Sequence, residues 1–344
     1  MPTHLTLAEG AHIKGCWLEP VNEDVILGRV REWATNASVK PARIPAYWLD
    51  HPDHPIPINA PAQPDEKVVF ALHGGAYVAF SASPDSPTSL IARGLIDHCK
   101  HLGIRRVLQP EYRLSAGPPL KEAANPFPAA LIDALSGYDY LVNIVGFDPE
   151  NIIVEGDSAG GNLALALTRY LIEHSSELKT YAERTGKRAL ALPGGLILLS
   201  PWADLGTSHD SSGHISYFSQ TDYIGSRAGA KAKYPQYAFT GPLGLAGADT
   251  IAYISPASKH PEAERVSYAG WPRTFLVAGG AELLAPSIRV LKERMSADMG
   301  EGVGAGQLTY YEAPDGVHDY IPLTWHEPER TDTLAAIASW LATP

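Results

Sequence analysis

The sequence predicts an α/β fold in which a mostly parallel central sheet is flanked by helices. Three observations predict it. From about residue 67 onward, short β-rich runs alternate with helical patterns, the signature of successive βαβ units. The run 194–202, GGLILLSPW, is apolar almost throughout, as expected of a strand buried on both faces. Glycine-containing turns follow several of these runs, at the sheet edge where open α/β sheets bind their ligands.

The elements follow in order. KVVFALHGG (67–75) reads as a strand ending in glycines, and a helix over 86–103 opens with Ser86 as N-cap and Pro87 at its first position. A strand at 105–114 and a helix at 127–146 come next. NIIVEG (151–156) is a strand that runs into a helix from Ser158 to about His174. After the buried strand at 194–202, the pattern closes with a strand at 273–280, a helix at 286–299, a strand at 307–313 and a helix at 330–343.

Two regions do not follow the alternation. Residues 1–66 are rich in proline and loop signals, with 51–65 an irregular connection. Residues 203–256 combine many Gly and Ser with Tyr217, Phe218, Tyr223, Tyr234, Tyr237 and Phe239. A long aromatic insert between two core strands reads as a cap over a pocket, the plainer alternative being a surface excursion. The expected organisation is therefore an N-terminal segment contributing to the cap (1–50), a first part of the core (51–202), the cap insert (203–256) and a second part of the core (257–344).

Composition narrows the function classes. The chain has 344 residues, 45% hydrophobic and 19% charged, enough to bury a sizeable core. A net charge of −11 without Lys/Arg runs argues against a nucleic-acid partner. No stretch of 18 apolar residues occurs, so no stable membrane insertion is expected. The opening residues show no signal-peptide core, which makes cytoplasmic residence the expectation, with secretion not excluded. Cys16 and Cys99 form no CxxC pair and suggest neither a disulfide framework nor a zinc site, although one bridge between them stays open. The sequon Asn36-Ala37-Ser38 carries weight only in a secreted protein. His51 and His54 are spaced like metal ligands but have no third candidate nearby, so no metal or cofactor is expected. Whether the chain forms a homodimer is open.

The chemistry centres on Gly156-Asp157-Ser158-Ala159-Gly160. A lone GxSxG is weak, but this one follows a strand and opens a helix, as a nucleophile elbow requires. The glycines permit a sharp bend, and Ser158 would sit at a helix N-terminus that favours developing negative charge. The competing reading is a plain strand–helix turn with Ser158 as N-cap. A nucleophilic serine needs a base, an orienting acid and an oxyanion hole. His73-Gly74-Gly75-Ala76 ends an earlier strand with small residues whose N–H groups can approach a carbonyl oxygen, and the N–H of Ala159 completes the set. Of 13 histidines, His318 follows the last strand and precedes the last helix; His326 lies further on, at the start of that helix. Glu282 follows the strand at 273–280 among Ala281, Leu283 and Leu284, where a carboxylate wants a partner. Asp315 and Asp319 flank His318 in sequence, which sets them against the required geometry.

These pieces resemble the hormone-sensitive-lipase-like (family IV) branch of α/β-hydrolase-fold esterases. The resemblance rests on HGGA (73–76), EYRLS (111–115), NPFPAALIDA (125–134), GDSAGGN (156–162), SPWADL (200–205), AELL (281–284) and GVHDY (316–320), and spans about residues 67–343. It implies an α/β-hydrolase fold capped by the N-terminal segment and the insert. It also implies a Ser158–His318–Glu282 triad and an oxyanion hole from Gly74, Gly75, Ala76 and Ala159, with His73, Tyr77 and Asp157 as motif or pocket residues. The expected partner is a small-molecule ester, and a capped, aromatic pocket in an acidic protein suggests a short to medium acyl chain. Three departures stand out: the family's Asp-Pro-Leu-x-Asp is replaced by Glu282-Leu283-Leu284 with Pro286 at the second acid position, Ala76 replaces a third glycine, and the link after Tyr112 is long. A non-catalytic receptor on the same fold, or an amide or formamide hydrolase, is the alternative.

Overall fold

The computed structural model describes residues 6–8, 10, 13–58, 60–211, 213–225 and 233–343. The strands are β1 (Lys14–Leu18), β2 (Ile44–Asp50), β3 (Lys67–Leu72), β4 (Ile104–Pro110), β5 (Ile152–Asp157), β6 (Gly195–Leu199), β7 (Thr274–Gly279) and β8 (Leu308–Ala313). Among the described residues they form one sheet in the order β1-β2-β4-β3-β5-β6-β7-β8. From β4 to β8 every neighbouring pair is parallel, while β1–β2 and β2–β4 are antiparallel.

The longer helices are α1 (Gly28–Asn36), α2 (Ser89–Cys99), α3 (Ala129–Asp139), α4 (Ala159–Glu173), α5 (Ser175–Thr185), α9 (Ala285–Met299) and α10 (Glu329–Ala342); between α5 and α9 lie the short α6 (Gly213–Phe218), α7 (Tyr234–Thr240) and α8 (Gly244–Thr250). Successive side chains of a strand point to opposite faces. Val68, Phe70 and Leu72 of β3 accordingly join one apolar cluster with α1, α3, α4 and α9, and Val69 and Ala71 join the other with α2 and α10. The continuous apolar strands are explained by this two-sided burial: β3, β5, β6 and β7 are buried along nearly their whole length.

Residues 1–66, set outside the alternation in the sequence, instead supply β1, α1 and β2. Proline normally demotes a strand because it cannot donate to the ladder. Pro45 sits in β2 all the same, with its carbonyl accepting the Glu111 N–H at 2.9 Å. The irregular connection after β2 is held by a buried ion pair: Arg106 of β4 bonds Glu66 at 3.0 Å and the Ala60 carbonyl at 2.9 Å, with its guanidinium over the rings of Trp48 and Phe147. The helix expected at 127–146 divides, α3 passing into a π-helical turn at Tyr140–Val145. Helix α5 was not legible, since it buries only Leu178 and Ala182.

The insert between β6 and β7 holds α6, α7 and α8. Tyr237, Ala238, Gly241 and Pro242 face Ala37, Ser38 and Val39 across a cavity of about 690 Å³, so insert and N-terminal segment approach each other. Among the described residues no helix is long and apolar enough to cross a membrane, and both cysteines are free thiols.

Candidate active site

Strand β5 delivers Ser158 to the start of α4 at φ 51°, ψ −113°, a region that L-residues rarely adopt. The local sequence allows the bend because two backbones pass almost in contact. A Cβ on Gly160 would lie 1.7 Å from the Leu72 carbonyl oxygen, and one on Gly156 would lie 2.3 Å from the Gly160 oxygen. Only glycine fits at either place. The Ser158 N–H donates to the Leu199 carbonyl at 2.9 Å and its own carbonyl accepts from the Trp202 N–H at 2.8 Å, which locks the strained residue between β6 and the segment that follows it.

The side chain of Ser158 makes no cap hydrogen bond to α4. Its hydroxyl instead lies 2.9 Å from His318 Nε2, and His318 Nδ1 lies 3.2 Å from Glu282 Oε2. With the ring proton on Nδ1, the histidine donates to the carboxylate and accepts from the serine. The structure thus brings Ser158, His318 and Glu282 from three strand ends into one buried line. Asp315, by contrast, is exposed, and His326 pairs with Glu329 at 3.2 Å, its ring beside those of Tyr320 and Trp325. His51 lies beside Asp53 and Asp97, and among the described residues no three His, Cys, Asp or Glu side chains form a metal-ligand group.

The loop after β3 is shaped by what surrounds it. Gly75 has φ 106°, Ala76 53° and Tyr77 64°. A Cβ on Gly75 would lie 2.2 Å from the Ala79 carbonyl oxygen. Motif residues hold the loop from several sides. Tyr112 donates to the His73 carbonyl at 2.6 Å, its ring stacked on that of His73 at 4.2 Å. Ser115 N–H donates to the Tyr77 carbonyl at 2.7 Å, and Glu111 accepts from Ser81 and the Ala82 N–H. Arg113 grips Asp133 of α3 with Nε and Nη2, so EYRLS and NPFPAALIDA meet in one buried ion pair. Tyr77, stacked on Phe239 of the insert, donates to Asn162 Oδ1 at 2.7 Å. Asn162 Nδ2 then donates to the carbonyls of Trp202 and Ile254.

One expected oxyanion donor is corrected by the geometry. The Gly74 N–H is committed to Asp157 Oδ1 at 2.9 Å, so it is not available to a substrate oxygen. The N–H groups of Gly75, Ala76 and Ala159 have no such acceptor among the described residues. Asp157 is therefore a brace for the loop.

Carboxyl groups crowd this end of the sheet. Burial raises the Glu282 carboxyl above its ordinary range, opposed by the His318 hydrogen bond and charge. Burial raises Glu155 and Asp319 well above theirs and brings Asp157 to about 7. For His318, burial acts to lower the value, but the charge of Asp319, the Glu282 bond and the Asp222 charge outweigh it and lift the imidazole to about 9.

Sequence reasoning missed several contributors. Asn162 was within reach, as it closes GDSAGGN. Asp222 and His214 carry no sequence signal: Asp222 accepts the Leu283 N–H at 2.7 Å, and His214 Nε2 donates to the Glu282 carbonyl at 2.9 Å, so the insert grips the acid turn from two sides. Tyr223 places its ring 6.0 Å from that of His318.

A family model described as alpha/beta hydrolase fold matches residues 69–321. The chain is 27% identical over 284 residues to an esterase, LipU, of Mycobacterium tuberculosis, covering 82% of this chain and 79% of that protein. It is 32% identical over 152 residues to an acetyl-hydrolase of Streptomyces hygroscopicus, covering 43% of this chain and 41% of that one. Among solved structures, an esterase from the bacterial hormone-sensitive lipase (HSL) family superposes with TM-score 0.59 at 23% identity, over 96% of this chain and 84% of the other. An esterase/lipase from an uncultured bacterium does so with TM-score 0.60 at 21% identity, over 97% and 85%.

Proposed function

The chain belongs to the α/β-hydrolase-fold family, and on that premise we propose that it is a serine carboxylesterase acting on short- to medium-chain acyl esters through Ser158, His318 and Glu282. The observation that carries the proposal is the hydrogen-bonded line of these three side chains, 2.9 Å and 3.2 Å long, built on a serine held at φ 51°.

His318 Nε2 takes the hydroxyl proton as Ser158 Oγ bonds to the ester carbonyl carbon, and the carbonyl π electrons move to oxygen. Glu282 holds the Nδ1–H tautomer and stabilises the imidazolium. The N–H groups of Gly75, Ala76 and Ala159 are the donors for the oxyanion, each worth about 10²–10³ in kcat. As the carbon–oxygen bond to the alcohol breaks, Nε2 returns its proton to the leaving oxygen. Water then repeats the steps on the acyl-enzyme. The insert and residues 37–39 serve as the cap, and its aromatic side chains bound the substrate space; this favours compact esters over long-chain triglycerides.

The test is turnover of p-nitrophenyl acyl esters of graded chain length by wild type, Ser158→Ala, His318→Ala and Glu282→Ala. The proposal expects turnover falling beyond medium chain lengths, and loss of up to roughly 10⁶-fold in kcat without Ser158. A preference for insoluble long-chain triglycerides overturns the chain-length part. A wild type inert on every ester overturns the reaction class and favours a receptor.

A further inference from the structure

The nitrogen of His318 that faces Ser158 has a second neighbour. Asp319 Oδ2 lies 3.2 Å from Nε2, against 2.9 Å for the serine hydroxyl. The contact is built in. Asp319 is 8% exposed and held at φ 43°, and its N–H points to Ser200 Oγ at 3.4 Å. Its carboxyl is also electrostatically coupled to that of Asp157, the residue that braces Gly74. One carboxyl pair therefore links the base to the loop that carries the oxyanion donors.

Two protonation states of this contact are attractive, and both hold the same single proton. Either an Nε2–H imidazolium faces an Asp319 carboxylate, or a neutral Asp319 donates to a bare Nε2. In both, Nε2 is engaged by Asp319, while attack by Ser158 needs a bare Nε2 free to receive the serine proton. The charged or titratable groups acting on the ring are Glu282 on the far nitrogen, Asp222 and Tyr223 from the insert, Asp157 from β5, and Asp319 itself, with Glu155 of β5 acting in turn on Asp157 and Asp319. The largest influences that raise His318 are all carboxylates: Asp319, Glu282 and Asp222.

We propose that Asp319, backed by Asp157, is a proton-holding partner of His318 Nε2 that decides when the histidine can accept the Ser158 proton. This rests on the assignment of Ser158 and His318 as nucleophile and base. The resting pair holds one proton between Nε2 and Asp319. As pH rises that proton leaves to water, Nε2 becomes bare, and the serine can be activated. During attack the serine proton arrives on Nε2, where the Asp319 carboxylate lies within hydrogen-bond distance until the proton passes to the leaving oxygen. The carboxylate so raises the basicity of the histidine and delays its availability to alkaline pH. The lift of His318 to about 9, in which the Asp319 charge is the largest raising influence, agrees with this arrangement.

The experiment is the pH dependence of kcat/KM between about pH 5 and 10 for hydrolysis of a short aliphatic ester, read by proton NMR of the released acid. Wild type is compared with Asp319→Asn, which keeps the shape, and Asp319→Gly, which suits the positive φ and tolerates the fold if the amide does not. The expected result is a wild-type limb rising well above the ordinary histidine value of about 6.5. In both variants it moves down by about 1–3 pH units, the shift expected when a charge within a few ångströms of the titrating group is removed. A wild-type limb at or below about 6.5 overturns the proposal, as does a limb unmoved in the folded variants, whatever their loss of activity. A wild type inert on all esters removes the triad assignment itself, whereas an active wild type with an immobile limb removes only the role of Asp319.

Discussion

Removing the Asp222 carboxylate tests whether the insert positions Glu282, the acid of the proposed triad. Asp222 is buried, and it accepts the N–H of Leu283, itself fully buried, at 2.7 Å. In Asp222→Ala that N–H is left without an acceptor, which costs about 1–3 kcal/mol. The catalytic consequence comes from the next residue in the chain. Glu282 lies one peptide away and reaches His318 at 3.2 Å, with His214 still holding its carbonyl from the insert. A displacement of about 1 Å in a positioned group costs on the order of 10²-fold in rate. Asp222→Asn keeps an acceptor oxygen while removing a charge that raises both Glu282 and His318. The assays are urea unfolding and kcat on one p-nitrophenyl ester. Asp222→Ala is expected to lose about 1–3 kcal/mol of stability and up to about 10²-fold in kcat, with Asp222→Asn recovering most of both. An Asp222→Ala protein with wild-type stability and turnover would refute the reasoning.

Three further outcomes follow from the geometry. Gly160→Ala places a Cβ 1.7 Å from the Leu72 carbonyl oxygen, where only backbone can yield, so it is expected to cost more than the roughly 1–3 kcal/mol of ordinary overpacking in chemical denaturation and to abolish turnover; Gly213→Ala, with nothing within 4 Å, is the neutral comparison. Glu282→Gln leaves shape intact but no negative charge against the His318 Nδ1–H, and kcat is expected to fall by about 10⁴ at unchanged melting temperature, as read by stopped assays and calorimetry. Thermal stability should decline from about pH 4 toward about pH 9: the buried Asp157 and Glu111 carboxyls, raised to about 7, hold protons in the folded state that the unfolded chain has already released, and the contribution of His318, complete below its unfolded value, is lost as pH rises through about 9. A melting temperature that rises across that range would contradict the protonation states assigned to these groups.

The parts of the site that were legible in the sequence are those fixed by local backbone rules. Ser158 was readable because a strand, two glycines and a helix start leave one way to bend, and the structure shows each glycine pressed against a carbonyl oxygen. His318 and Glu282 were readable from their places after β8 and β7. Asp319 was judged by its sequence position beside the histidine, which said nothing of the positive φ that turns its carboxyl back onto Nε2. The commitment of the Gly74 N–H was equally hidden, since it depends on Asp157 83 residues away. In the fold, the parallel strands announced themselves by apolar runs, while β2 was masked by Pro45 and its proline-rich sequel. The insert was visible as an aromatic interruption that reads as a cap, but its short helices were not: they are held by contacts such as Tyr77 on Phe239 and Asp222 on Leu283, which no periodicity within the segment encodes.

The central claim is that Ser158 is the nucleophile, activated by His318. Its most direct test is the intact mass and peptide map of the protein after exposure to a fluorophosphonate near pH 9. The account predicts one adduct per chain on the peptide carrying Ser158, none in Ser158→Ala, and labelling slowed by orders of magnitude in His318→Ala. Absence of labelling in the wild type, or an adduct that persists in Ser158→Ala, would contradict it.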